Sequence, residues 1–190
     1  MSFLAVVASV LLLANTPVQD GAPRIKLKVK GVESARDRGS LERSLRALAS
    51  IDDVLAGKDG TVTILMKQDK KPLTLRLSDI SAAVAKAGGE MALDTEKTSL
   101  DGKFQVETDA SGLVKSSNGL KGVRSVGKPK KMRQGTLSFE VTAKGLSLSA
   151  LMEAAGKAKI GVAQGLTKPG EPKIDLVWTS PAKKKAGGGG

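Results

Sequence analysis

The segment Arg24–Lys30 (RIKLKVK) alternates between cationic and apolar residues over its whole length. Ile25, Leu27 and Val29 fall on one side of an extended chain, and the cations fall on the other. This period of two predicts a β-strand with one buried face. Because a single strand cannot bury that face alone, the chain must build a sheet with a second layer packed against it.

The residues after this strand predict a helix and two further strands. Ser40 is the predicted N-cap of a helix that ends near Ser50. The apolar face of that helix is formed by leucines at positions 41, 45 and 48, which share one side at helical spacing. The β-branched residues of 61–66, and the shorter apolar run at 51–55, then predict two strands.

A second helix and a short strand complete a first module. Ser78 and Asp79 suit the N-terminus of a helix, and Gly88-Gly89 predicts a left-handed cap at its C-terminus. Residues 90–93 predict a last strand. The order strand, helix, strand, strand, helix, strand is that of the ferredoxin-like fold.

The same order returns, less clearly, in the second half of the chain. Strands are predicted at 104–106, 122–126, 137–141 and 160–163, and helices at 111–120 and after Ser147. Leu148, Leu151, Met152 and Ala155 form the apolar face of the last helix. Residues 173–179 predict one more strand, in which Trp178 is expected to pack rather than to bind a ligand.

Two local matches indicate an internal repeat. Ser50–Val54 aligns with Gly122–Val126, which lies 72 positions later, and Leu77-Ser78 aligns with Leu146-Ser147. The predicted fold class is therefore α+β, with two ferredoxin-like βαββαβ modules in tandem and the second one more divergent. The predicted boundaries are a signal peptide at 1–22, the first module at 23–94, a linker at 95–102, the second module at 103–180, and a disordered basic glycine-rich tail at 181–190.

The N-terminus has the pattern of an export signal. Leu4–Leu13 is an unbroken run of apolar and small residues, long enough for the core of a signal peptide but too short to span a bilayer. We therefore expect the mature protein to be periplasmic or secreted and to have no transmembrane segment.

The composition excludes several kinds of chemistry. The chain has no cysteine and no histidine, so it has no Cys/His zinc site, no thiolate nucleophile and no histidine general base. No phosphate-binding loop, nucleophile elbow or convergent carboxylate pair is present either. We therefore expect a protein that is not an enzyme and that carries no cofactor.

The net charge of +12 favours anionic partners. An acidic protein or an envelope polyanion is the expected partner. Nucleic acid is less favoured, because the few aromatic residues do not form the base-stacking motif of RNA-recognition modules. The predicted contacts are Arg24, Lys26, Lys28 and Lys30 on the first strand, and Lys128, Lys130, Lys131 and Arg133 in a basic loop.

Three stretches of the first module resemble the heavy-metal-associated (HMA) domains of copper chaperones, metal-pumping ATPases and exported mercury-binding proteins. They are Val29–Val32, at the end of the first strand, Leu45–Val54, at the turn from helix to strand, and Leu77–Leu93, the second helix and last strand. The resemblance covers residues 24–94 and implies the ferredoxin-like fold.

The metal motif of that family is missing. HMA domains hold soft ions between two thiolates spaced C-x-x-C, which suits the preference of soft metals for sulfur. In this chain the corresponding loop contains Glu33, Ser34, Arg36 and Asp37, so no metal ligand carries over. The resulting interpretation is an exported, non-enzymatic binding or scaffold protein. The alternatives are an atypical metal-binding or metal-transport protein of the HMA family, and a nucleic-acid binder that contacts phosphates.

Overall fold

The computed structural model describes residues 23–132, 135–158 and 173–182. In its first half the alternating segment forms a strand, as predicted, and a helix follows it. The elements are β1 (Arg24–Lys30), α1 (Ala35–Arg46), β2 (Ile51–Ala56), β3 (Thr61–Met66), β4 (Thr74–Arg76), α2 (Leu77–Ala87) and β5 (Ala92–Leu93).

Four of these strands form an antiparallel sheet in the order β2-β3-β1-β5. This is the strand order of a ferredoxin-like module, in which the first and third strands lie in the middle. The buried face of β1 packs with Leu41 and Leu45 of α1 and with Ile80 and Val84 of α2. Both helices therefore cover the same face of the sheet.

The second half repeats this architecture. Its elements are β6 (Ser99–Thr108), α3 (Leu113–Ser117), β7 (Val123–Val126), β8 (Lys130–Lys131), β9 (Leu137–Ser147), α4 (Leu148–Lys157) and β10 (Ile174–Thr179). The strands pair in the order β10-β6-β9-β7, and β8 adds a short pairing to β9. The fold is thus α+β with two ferredoxin-like units, which confirms the predicted class.

The first half of the chain supplies an edge strand to the second sheet. β4 comes from the first half of the chain but pairs with β10 at the end of the second sheet. Leu75 lies opposite Trp178 in this pairing, and both side chains are buried. The Trp178 ring packs against Phe104 with ring centroids 6.1 Å apart, which confirms its predicted packing role. The buried apolar residues of both halves form one core.

The proposed repeat has a structural counterpart in β2 and β7. Both are edge strands next to the third strand of their unit, and both contain a register shift. The shift lies between Ile51 and Asp53 in β2 and between Val123 and Ser125 in β7, at the aligned positions. A bulge kept at the same place in both units supports the duplication read from the sequence.

The predicted start of α1 is wrong. Ser34 is the N-cap, and Ser40 lies inside the helix, which ends at Arg46 rather than near Ser50. The Ser34 hydroxyl accepts a hydrogen bond from the Asp37 backbone N–H, while the Asp37 carboxylate accepts one from the Ser34 N–H. This capping box gives hydrogen-bond partners to backbone N–H groups at the start of the helix, and the helix therefore begins in the segment predicted as a loop.

Two predicted features of α2 also differ. The N-cap is Arg76, whose side chain makes no capping hydrogen bond, and Ser78 lies inside the helix. At the other end Gly88 has φ −176°, which is extended backbone and not the predicted left-handed cap.

Two further predictions differ in part from the structure. β6 begins at Ser99, so it occupies part of the predicted linker 95–102. Ser147 caps α4 as predicted, but Met152 is 42% exposed rather than part of the apolar face. The predicted signal peptide 1–22, the predicted strand 160–163 and residues 183–190 of the predicted tail lie outside the described residues.

Candidate anion-binding face

β1 presents its cations on the side of the sheet that carries none of the helices in the described ranges. Its three apolar residues are buried beneath α1 and α2, and the alternate side chains therefore point to the opposite side. We call these four side chains the cationic stripe: Arg24, Lys26, Lys28 and Lys30. The sequence predicted all four as contacts, and the structure brings them together on one face.

The strands beside β1 add hydroxyl and apolar groups to this face. In β3, Thr61 lies opposite Lys28 and Thr63 lies opposite Lys26. In β2, Leu55 lies opposite Thr63, and its side chain is 67% exposed. The sequence pattern did not indicate these neighbours, because strand register follows from pairing between segments rather than from either segment alone.

Two cations of the stripe are partly neutralised. The Lys28 ammonium lies 2.5 Å from the Asp59 carboxylate, and the Lys30 ammonium lies 3.7 Å from the Asp94 carboxylate. Within the described ranges, Arg24 and Lys26 form no ion pair. The positive potential of the stripe is therefore strongest at its N-terminal end.

Asp59 is held in its charged form by its surroundings. A hydrogen bond from the Lys28 ammonium, followed by hydrogen bonds from the Thr61 hydroxyl and backbone, lowers the pKa of the Asp59 carboxyl below its ordinary value. Its carboxylate therefore stays ionised in mildly acidic solution and keeps its interaction with Lys28.

The N-terminal end of the stripe borders two clefts at the junction of the units. The larger cleft has a volume of 510 Å³ and is lined by Arg24, Lys103 and Glu140, together with Trp178 and residues around it. The smaller one, of 170 Å³, is lined by Arg24, Lys26 and Asp101 among others. Arg24 and Lys26, which form no ion pair in the described ranges, thus line solvent-accessible space that they share with Asp101 and Glu140.

The second predicted cluster lies elsewhere. Lys128, Lys130 and Lys131 are exposed and belong to the connection between β7 and β9, on the second sheet. No ion pair involves them in the part of the chain that the structure describes. Arg133 lies outside the described residues. This cluster therefore lies on a different sheet from the cationic stripe.

The residues predicted to stand in place of a metal motif have a structural role. The Asp37 carboxylate accepts hydrogen bonds from the Ser34 hydroxyl at 2.7 Å, the Ser34 N–H at 2.8 Å and the Glu33 N–H at 3.3 Å. The bonds from Ser34 are the main reason that the pKa of Asp37 is lowered. Glu33 and Arg36 are exposed. Among the described residues, no three acidic side chains converge as metal ligands do.

The outer edge of the first sheet is closed by side chains of α1. The Ala56 N–H donates to the Glu42 carboxylate at 2.9 Å, and the Val54 carbonyl accepts from the Arg46 guanidinium at 2.6 Å. The Val54 N–H donates to Asp53, to which Arg46 also donates. Because these backbone groups already have partners, a further strand cannot add at β2 without displacing them.

Two solved structures resemble this chain at low similarity. No protein-family model and no curated protein matches the chain. The water-soluble region of the P-type ATPase CopA from Bacillus subtilis aligns over 78% of this chain and 97% of that one, with 19% identity and a TM-score of 0.33. The N-terminal soluble domains of Bacillus subtilis CopA align over 70% and 86%, with 18% identity and a TM-score of 0.33. The fold assignment rests on the strand order described above.

No helix of the described ranges has the length and apolar character that a membrane crossing requires.

Proposed function

We propose that this chain is an exported, non-enzymatic binding protein that holds an anionic macromolecule on the cationic stripe. The observation that carries the proposal is the pair Arg24 and Lys26. Both side chains are exposed on the helix-free face, and neither forms an ion pair in the described part of the chain. Exposed cations of this kind attract polyanions over distances of about 10 Å at ordinary salt.

The residues in place of the HMA metal motif support binding without metal. Asp37 and Ser34 hydrogen-bond to each other at the start of α1, so their oxygens stabilise the helix terminus. The chain also has no thiol to take the place of the two cysteines that HMA domains use. The ferredoxin-like scaffold would then serve to present the sheet face rather than a metal loop.

The test is a binding titration with fluorescent polyglutamate at low salt, repeated at rising salt. The double variant Arg24→Gln/Lys26→Gln should weaken binding about fivefold, since each exposed ion pair contributes about 0.2–1 kcal/mol. Lys128→Gln/Lys130→Gln removes the same charge from the second sheet and should have a smaller effect. Equal losses in the two double variants would show that net charge, and not the stripe, determines binding.

A metal titration separates this proposal from the HMA alternative. Purified protein is mixed with Cu(I) or Zn(II) and examined by native mass spectrometry against a competing chelator. We expect no stoichiometric complex. A complex that survives the chelator would overturn the assignment of a metal-free protein.

A further inference from the structure

The cations of the stripe repeat at the period of an extended chain. They occupy every second residue of β1, and a two-residue step along a strand measures about 6.6–6.8 Å. An extended peptide places its own alternate side chains on one side at the same repeat. A peptide with acidic residues at every second position can therefore set successive carboxylates over successive cations of the stripe.

The charges around the stripe favour a ligand that runs along β1 rather than across the sheet. On the β3 side, Asp59 pairs with Lys28, and further out Asp53 lies opposite Leu65, which in turn lies opposite Arg24. A ligand that crossed toward β2 would meet Thr61, Thr63 and Leu65 of β3 rather than further cations, and Asp53 beyond them is already paired with Arg46. Along β1 it meets the cations of the stripe and the hydroxyls of Thr61 and Thr63. The carboxylates beside this path are Asp59 and Asp94, which are paired with Lys28 and Lys30, and Asp101, which lines the smaller cleft.

Paired cations do not block such a ligand. The Asp59 side chain is 65% exposed and the Lys28 side chain is 27% exposed, so an incoming carboxylate competes with a partly solvated ion pair. Lys30 remains 57% exposed beside Asp94. Arg24 and Lys26 provide two alternate positions of β1 at which no ion pair within the described residues has to be broken.

The described residues disfavour nucleic acid on this face. Stacking of bases requires exposed aromatic rings, whereas Phe104, Phe139 and Trp178 are all buried. Charge complementarity with a regular spacing, without aromatic groups, fits an acidic polypeptide best.

We infer that the cationic stripe binds an extended acidic peptide segment of a partner protein, with Asp or Glu at every second residue. This inference rests on the proposed function, because it names the partner of the same face. Arg24 and Lys26 are the primary contacts, and Lys28 and Lys30 contact the next alternate acidic residues of the peptide.

The test compares two fluorescent peptides of identical composition, measured by anisotropy. One alternates glutamate and serine, and the other has all its glutamates in one block followed by the serines. In an extended block, neighbouring glutamates point to opposite sides, so only half of them reach the stripe. The alternating peptide should bind about fivefold more tightly, and Arg24→Gln/Lys26→Gln should abolish the preference while Lys128→Gln/Lys130→Gln keeps it.

The outcomes separate this inference from the proposed function. If both peptides bind equally well, and the Arg24→Gln/Lys26→Gln variant binds neither, the match in spacing between peptide and stripe is wrong. The proposal of an anion-binding face is then still supported. The same holds if neither peptide binds but anionic phospholipid vesicles or single-stranded DNA bind through Arg24 and Lys26. If no anionic probe depends on these two residues, both the inference and the proposed function are wrong.

Discussion

The guanidinium of Arg76 lies 3.4 Å from the Asp175 carboxylate, although 99 positions separate the two residues in the chain. Arg76 also donates to Glu107 at 2.6 Å, and this bond is the main reason that the pKa of Arg76 is raised. The Asp175 carboxylate further accepts from the Ser78 N–H at 3.1 Å, at the start of α2. One polar network thus connects α2 and β4 of the first unit to β6 and β10 of the second.

Replacing Arg76 should weaken the junction between the units. Arg76→Met keeps the apolar stem but leaves two carboxylates without their cation, so we expect the free energy of unfolding to fall by about 1–2 kcal/mol. The measurement is urea unfolding followed by circular dichroism. Lys157→Met is the matched control, because it removes an exposed ion pair to Glu153 on α4. A loss no larger than that of the control would show that the network does not stabilise the junction.

The two candidate caps of α1 can be separated by mutation. Ser34→Ala removes the hydroxyl that accepts from the Asp37 N–H, and should cost about 1 kcal/mol. Ser40→Ala replaces a residue inside the helix with a better helix former, and should change stability by no more than about 0.5 kcal/mol. Both are measured by thermal and urea unfolding. A larger loss of stability in Ser40→Ala than in Ser34→Ala would instead support Ser40 as the N-cap of α1, as the sequence pattern predicts.

This difference illustrates what the sequence could and could not predict. The leucines at 41 and 45 define the buried face of α1 correctly, because their spacing reports a local period. The cap is ambiguous, because Ser34 and Ser40 are both good capping residues and only the reciprocal bond with Asp37 decides between them.

Contacts between segments that are distant in the chain could not be predicted from the sequence pattern. The alternation in β1 predicts the cationic stripe, since side-chain direction in a strand is local. The pairing of β4 with β10 and the partners of Lys28 and Lys30 depend on how separate segments meet in space. Short strands such as β4 carry too few residues to specify their partner.

The capping box should respond to pH in a defined direction. The pKa of Asp37 is lowered in the folded protein, so its ionised carboxylate stabilises the fold above its unfolded pKa near 4. That contribution is lost as the pH falls through the lowered folded value. The stability difference between the wild type and Asp37→Asn should therefore be constant at neutral pH and shrink below about pH 4.

The same comparison in a Ser34→Ala background provides the control. Because the bonds from Ser34 are the main cause of the lowered pKa, the pH-dependent part of the difference should be smaller there. Urea midpoints measured from neutral to acidic pH give both differences. An unchanged pH dependence in that background would contradict the assigned cause.

Releasing Lys28 from its internal partner should strengthen anion binding. Asp59→Asn leaves the Lys28 ammonium without a nearby carboxylate, and the affinity for polyglutamate should rise about two- to fivefold at low salt. Asp79→Asn removes the same charge from α2, which covers the opposite face of the sheet, and should raise the affinity less. Fluorescence titration of both variants checks the prediction, and equal effects would contradict it.

The side chains at β2 should protect the protein from association. In Glu42→Ala/Arg46→Ala, the Ala56 N–H and the Val54 carbonyl lose their partners at an exposed strand edge. We expect dimers or larger species at high protein concentration, seen by size-exclusion chromatography with light scattering. Glu153→Ala/Lys157→Ala removes a similar ion pair from α4 and should remain unchanged in size. Identical profiles for the two double variants would argue against edge protection.

The placement of β4 also has a consequence for protein synthesis. A ribosome releases residues 74–76 long before residues 174–179, so the nascent chain carries β4 without its partner strand β10 while the second half is being made. Asp175, which bonds to Ser78 at the start of α2, is likewise made 97 residues after its partner. The first unit can collapse early, but the molecule can complete its native pairing only after β10 has left the ribosome.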